Sequence, residues 1–186
     1  MTDDIRRDAD ARMSRALDAL ERELAAIRTG RAATALVERI SVEYYGTSTP
    51  LNQLASISVP EAHTIVIQPW DRSALGAIEK AILKSEVGLT PNSDGTVVRL
   101  QIPALTEERR KDLVKLVHKR MEDARVEIRN HRRDVADEIK KSEKDGDISS
   151  DDTRREMELL QKVTDRWTAE VDRIGKHKEQ EILDVG

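Results

Sequence analysis

Near the start of the chain the apolar positions Met13, Leu17, Leu20, Leu24 and Ile27 step by fours and threes. That period puts them on one stripe of a helix that packs against other helices. The run stops at Gly30, and glycine tolerates the positive φ of a helix terminus. The spacing therefore predicts a helix over 5–27, with "RTGRA" (28–32) as its C-cap.

Beyond Gly30 the period shortens. The runs "VERISVEYY", "ASISV", "TIVIQ" and "TVVRLQI" are rich in β-branched residues and separated by Gly, Pro, Asn and Asp, which predicts strands between Val37 and Pro103. Within this region "SALGAIEKAILKSEVG" returns to helical spacing at Leu75, Ile78, Ile82 and Leu83, so one helix lies on the sheet. After Pro103 the long period resumes, with Thr106 as N-cap and Val117, Met121, Ala124, Ile128, His131 and Val135 on one stripe. The polar turn "KDGDISSDD" ends this helix near Glu143, and Met157, Leu160, Trp167, Val171 and Ile174 mark a third.

The fold class that follows is α+β: an antiparallel three-helix bundle made from 1–30 and 106–186, with a small β-rich α/β domain, 31–105, inserted between its first two helices. Two connections join the parts. Gly30, Arg31 and Ala32 on one and Pro103, Ala104 and Leu105 on the other form a candidate hinge.

Composition sharpens this picture. Charged residues make up 37% of the 186 and phenylalanine is absent, which suits solvated amphipathic helices better than a thick globular core. There is no cysteine, so disulfides and thiolate metal sites are excluded. No apolar run reaches signal-peptide or membrane-span length, and a soluble, cytoplasmic protein is expected.

The charge distribution is uneven. The chain carries a formal net charge of -4, yet ten Lys or Arg face four acids between Arg109 and Arg133. Arg125, Arg129, Arg132 and Arg133 are spaced four, three and one, so a helix sends their guanidiniums out over one broad face. A solvated helix face would explain the letters; a phosphate-rich partner explains their concentration, because arginine forks match phosphate oxygens. DNA reading is disfavoured by the acidic remainder and by the lack of a DNA-binding motif. Base stacking is poorly served by four aromatic residues, Tyr44, Tyr45, Trp70 and Trp167.

Other chemistry finds less support. His131 falls on the apolar seam as a partly buried residue, and no histidine pair completes a metal site. Counting Asp145 as position 1 of a calcium loop places Asp147, Ser149 and Glu156 at ligand positions, but Ser150 stands where the loop needs glycine. Helix capping by Ser149 with Asp152, or by Thr153 with Glu156, explains the same residues. There is no phosphate-binding loop, nucleophile turn or catalytic cysteine, so neither an enzyme nor a cofactor is expected. A helical scaffold that binds another protein through its charged faces is the alternative to an RNA-binding factor.

Over nearly its whole length the chain resembles the bacterial ribosome recycling factor family. The resemblance is carried by "IRTGRA" (27–32), "VEYYGTSTPLNQLASISV" (42–59), "DRSALGAIEKAI" (71–82), "GLTPNSDGTVVRLQIPALTEERRKDLVK" (88–115) and "ARVEIRNHRRD" (124–134). It implies an L-shaped molecule about the size of transfer RNA, with two domains on hinge linkers. It implies a monomeric factor that, with elongation factor G and GTP, splits the post-termination ribosome and frees messenger and transfer RNA. Large-subunit ribosomal RNA is the implied target, with Arg129 and Arg132 at matching contact positions and Arg28 and Arg31 matching the first-helix motif. Membrane and DNA are not among the implied partners. The purified protein is therefore expected to turn over no GTP until elongation factor G is added, which a phosphate-release assay checks.

Overall fold

In chain order the elements are α1 (Thr2–Ala25), β1 (Ser41–Tyr44), β2 (Thr47–Pro50), β3 (Ala55–Glu61), β4 (Thr64–Pro69), α2 (Leu75–Lys84), β5 (Pro91–Ser93), β6 (Val98–Gln101), α3 (Glu107–Lys144) and α4 (Ser150–Leu183). This computed structural model describes residues 2–184. They fall into two units, one running through Arg28 and resuming at Glu107, the other spanning Thr29–Thr106.

In the first unit the predicted stripe of α1 is buried at Met13, Leu17, Leu20 and Leu24, joined by Ala9 and Ala16. It meets Val117, Met121, Ala124, Ile128 and Val135 of α3, whose seam extends to Leu113 and Ile139. At 38 residues, α3 is about 57 Å long. Cross-helix ion pairs fix the directions. Arg12 meets Glu138 and Arg120 meets Glu23, so α1 and α3 are antiparallel. His118 meets Glu179 and Arg125 meets Asp172, so α3 and α4 are antiparallel too, which leaves α1 parallel to α4.

Two expectations need correction. The first helix does not run to Gly30: it ends at Ala25, and Gly30, at φ +74, holds its left-handed conformation in the second unit rather than as a helix cap. The α4 seam is less apolar than expected. Leu160 and Val171 are buried, but Met157, Trp167 and Ile174 are only half-buried, while Glu156, Thr164 and Gly175 lie inside. Each of these inner residues has a local reason. Glu156 faces Arg6 Nε at 3.1 Å, the Thr164 hydroxyl donates to Leu160 O at 2.8 Å, and Gly175 leaves room for Met121. Of the two capping readings, Ser149 with Asp152 is the one formed, as a reciprocal capping box.

The second unit centres on an antiparallel sheet in the order β3-β4-β6-β5 and a separate β1–β2 hairpin. The alternation of β6 buries Val98 and Leu100 beside Ile65 and Ile67 of β4, and α2 covers them with Ile78 and Ile82. Leu83, expected on the same stripe, is exposed, because one residue past Ile82 is a 100° turn away. The strand expected at "VERISVEYY" is confined to Ser41–Tyr44. Polar β2 and β5 escaped the sequence pattern, which carries no apolar alternation there. Both edge strands of the larger sheet contain a proline, Pro60 and Pro91, at positions where a missing N–H is tolerated. Among the described residues no helix is long and apolar enough to cross a membrane.

Two helical glycines separate packing from propensity. A Cβ on Gly175 would fall 2.6 Å from Met121 Cγ, whereas one on Gly76 in α2 meets nothing within 4 Å. Alanine gains up to about 1 kcal/mol over glycine within a helix, and overpacking costs about 1–3 kcal/mol. Gly76→Ala should therefore stabilise and Gly175→Ala should destabilise by about 1 kcal/mol net, opposite signs that urea denaturation will read directly.

Candidate nucleic-acid interface and linker segments

Of the α3 arginines, Arg125 and Arg132 reach across to α4, and the structure gives each of the four a different state. Arg125 is the most committed: it donates to Asp172 on α4 and to Glu122 Oε2 at 3.3 Å, and Asp172 holds its guanidinium above the usual arginine range. Arg129 Nη2 donates to Glu122 Oε1 at 2.7 Å. That bond, seconded by Arg125, holds the Glu122 carboxyl below the usual carboxylate range.

Arg132 is oriented rather than neutralised. Its Nε donates to Gln161 Oε1 at 2.8 Å, while the Gln161 amide donates to Asp165 at 2.7 Å, which fixes which end of Gln161 faces the arginine. The two terminal nitrogens of Arg132 carry no hydrogen bond among the described residues, so the fork is aimed but open. Arg133 is exposed and, among the described residues, makes no ion pair. Spacing alone had grouped these four side chains with Glu122, an acid of the same helix; Gln161 and Asp172 were missed because their roles depend on how α4 is registered against α3.

His131 is half-buried, 3.5 Å from Glu127 of its own helix. The calcium-loop reading fails on Glu156, which turns into the bundle toward Arg6 instead of outward to a loop cation. Arg28 and Arg31 are exposed, follow α1 outside any helix, and belong to different units.

The hinge candidates are well anchored. Gly30, Arg31, Ala32, Pro103, Ala104 and Leu105 all belong to the second unit. Its β3–β4 turn holds the two connections: His63 Nδ1–H donates to Gly30 O at 2.6 Å, Ala32 N–H donates to Ala62 O at 2.7 Å, and Ile102 N–H donates to His63 O at 2.8 Å. A Cβ on Gly30 would stand 3.2 Å from Leu105 Cγ and 3.5 Å from Pro103 O, so the connections also touch one another. Read as one isolated histidine among four, His63 gave no sign of this in the sequence.

Comparison with known proteins shows what the chain as a whole is similar to. The family model for ribosome recycling factor matches residues 20–183. The ribosome-recycling factor of Shouchella clausii is 55% identical over 185 residues, all of both chains, and that of Bacillus subtilis is 55% identical over 174 residues, 94% of each. A solution structure of the ribosome recycling factor aligns with TM-score 0.74 at 47% identity, covering 99% of this chain and 98% of that one. A second structure, the T. thermophilus ribosome recycling factor with E. coli elongation factor G bound to the E. coli post-termination complex, aligns with TM-score 0.62 at 45% identity over 99% and 100% of the two chains.

The anchoring by His63 can be measured by itself. A neutral hydrogen bond contributes about 0.5–1.5 kcal/mol, so His63→Ala should speed amide exchange at Ala32 several-fold and leave Ile65 and Ile67 in the sheet core protected.

Proposed function

Because the chain belongs to the ribosome recycling factor family, we propose that the arginine face of α3 is the surface through which it grips ribosomal RNA of the large subunit. The protein is a non-catalytic factor: it binds the post-termination ribosome and, with elongation factor G and GTP, separates the subunits so that messenger and transfer RNA are released. Its site of action implies a cytoplasmic protein.

One observation carries the assignment of the face. Arg132 has its Nε anchored by Gln161 and its terminal nitrogens open, so the side chain is held ready for two phosphate oxygens with less ordering left to do on binding. Arg133 and Arg129 extend the same positive strip. Arg129 must exchange Glu122 for phosphate, which is inexpensive because an exposed ion pair is worth little. Arg125 acts differently: its two carboxylate partners make it a brace between α3 and α4 that positions the others. Arg28 and Arg31 are assigned a second, smaller group of RNA contacts.

From the anchoring of the linkers we infer a pivot just outside the hinge suggested by sequence. We assign bending to 28–29 and to the peptide links around Thr106, where α1 has ended, α3 has not begun, and the unit boundary falls. The second unit then moves with Gly30–Ala32 and Pro103–Leu105 as parts of its own body.

The face is tested by ribosome binding at two salt concentrations beside thermal melts. Arg132→Ala should lose about 1.5–3 kcal/mol of binding, and Arg132→Lys should lose part of that despite keeping the charge, since lysine has no fork; both should melt like wild type. Glu122→Gln, by releasing Arg129, should tighten binding. Arg125→Ala should lower the melting temperature, and a melt unchanged from wild type would remove its bracing role. Wild-type affinity in Arg132→Ala would remove the face from the interface.

A further inference from the structure

The ion pairs between α3 and α4 form a ladder with a regular step. His118 Nε2 meets Glu179 Oε2 at 3.1 Å, and Arg125, seven residues further along α3, meets Asp172, seven residues further back along α4. Seven residues are about two helical turns, so a pair of antiparallel helices in side-by-side contact repeats its pairings at that interval. One more step sets Arg132 opposite Asp165. A cationic or protonatable residue of α3 therefore faces an acid of α4 on all three rungs. On the third the ion pair is not formed: among the described residues Arg132 pairs with no carboxylate.

Gln161 stands between the two. Its Oε1 accepts Arg132 Nε–H at 2.8 Å, and its amide nitrogen donates to Asp165 Oδ1 at 2.7 Å, one turn along the same helix. The residues that hold the place of Gln161 on the other two rungs, one turn before the acid, are Thr168 and Gly175. Both are too short to intervene, and there the acid meets the α3 side chain directly. An interposed amide changes what the arginine has left to offer. A carboxylate accepts two N–H groups of a guanidinium as a fork, whereas an amide has one oxygen, and its NH2 end is a donor that a guanidinium cannot bond. Gln161 thus takes the Nε–H alone and occupies an oxygen of Asp165 with its own nitrogen.

We propose that Gln161 is a positioning residue for RNA binding, which keeps the Arg132 fork open by intercepting Asp165. Without the glutamine, the register of the two helices brings the Asp165 carboxylate onto Arg132 and turns it into a second Arg125, a brace between helices with its donors spent. With it, the acid is satisfied within α4 and the guanidinium is oriented without being neutralised. The helix that carries none of the four arginines thereby decides which of them meets phosphate.

This inference rests on the reading of the α3 face as the RNA-binding one, and the experiment separates the two by starting without ribosomes. In the free protein, arginine side-chain NMR should show the Arg132 Nη protons exchanging as fast as those of Arg133. Gln161→Ala should slow them several-fold, toward the Arg125 rate, and adding Asp165→Asn should abolish the slowing. On post-termination ribosomes Gln161→Ala should weaken binding about three- to tenfold, the range of one hydrogen bond, with the thermal melt unchanged. The double variant Gln161→Ala/Asp165→Asn should recover most of that loss. In an Arg132→Ala background Gln161→Ala should have no effect on binding, since no fork remains to be positioned. Arg132 protons that stay fast in Gln161→Ala, a double variant as weak as the single one, or a loss that persists without Arg132 would each overturn the proposal. Wild-type binding by Arg132→Ala would instead overturn the reading of the face.

Discussion

With charged residues at 37% of positions and no phenylalanine, each long helix can bury only a narrow stripe, filled by Ala, Leu, Ile, Val and Met. A stripe that thin leaves charged side chains directly at its borders. Arg6, Arg12 and Arg125 are each two-thirds or more covered and each meets a carboxylate on another helix. Their effect lies in discrimination, since a shift of one helix turn would set like charges against each other or leave Glu156 inside without Arg6.

The same constraint shapes the arginine face proposed to meet RNA. Arginines flanking a thin seam come near polar and acidic groups of their own helix and the next, and the strip is graded from fully paired at Arg125 to open at Arg133. A graded strip suits an acidic protein that must ignore most RNA in the cell. Internal carboxylates compete with any single phosphate, whereas a folded RNA that presents several phosphates in the right places displaces them together.

Much of this was legible in the sequence because period is a local property. The helical stripes at Met13–Leu24 and Val117–Val135, the strands of β4 and β6 and the arginine spacing all follow from neighbours a few residues apart. What stayed hidden depends on contacts between distant segments. Gly30 looked like a helix stop, yet its positive φ serves an approach to Leu105 and a bond from His63. Glu156 looked like a calcium ligand or a cap because its partner lies 150 positions away in Arg6. Gly175 was invisible until Met121 was seen to occupy the space a side chain would take.

The parallel pairing of α1 with α4 brings the first helix of the chain against the last. Synthesis at about 5–20 residues per second therefore leaves α1 without any helix of its own unit until α3 emerges, and without its Glu156 contact until later still. The sheet-bearing unit, contiguous from Thr29 to Thr106, is complete well before that. A nascent chain then carries a finished domain behind an amphipathic helix whose apolar stripe is uncovered, and chaperones that hold such stripes have their longest opportunity at the very beginning of this protein.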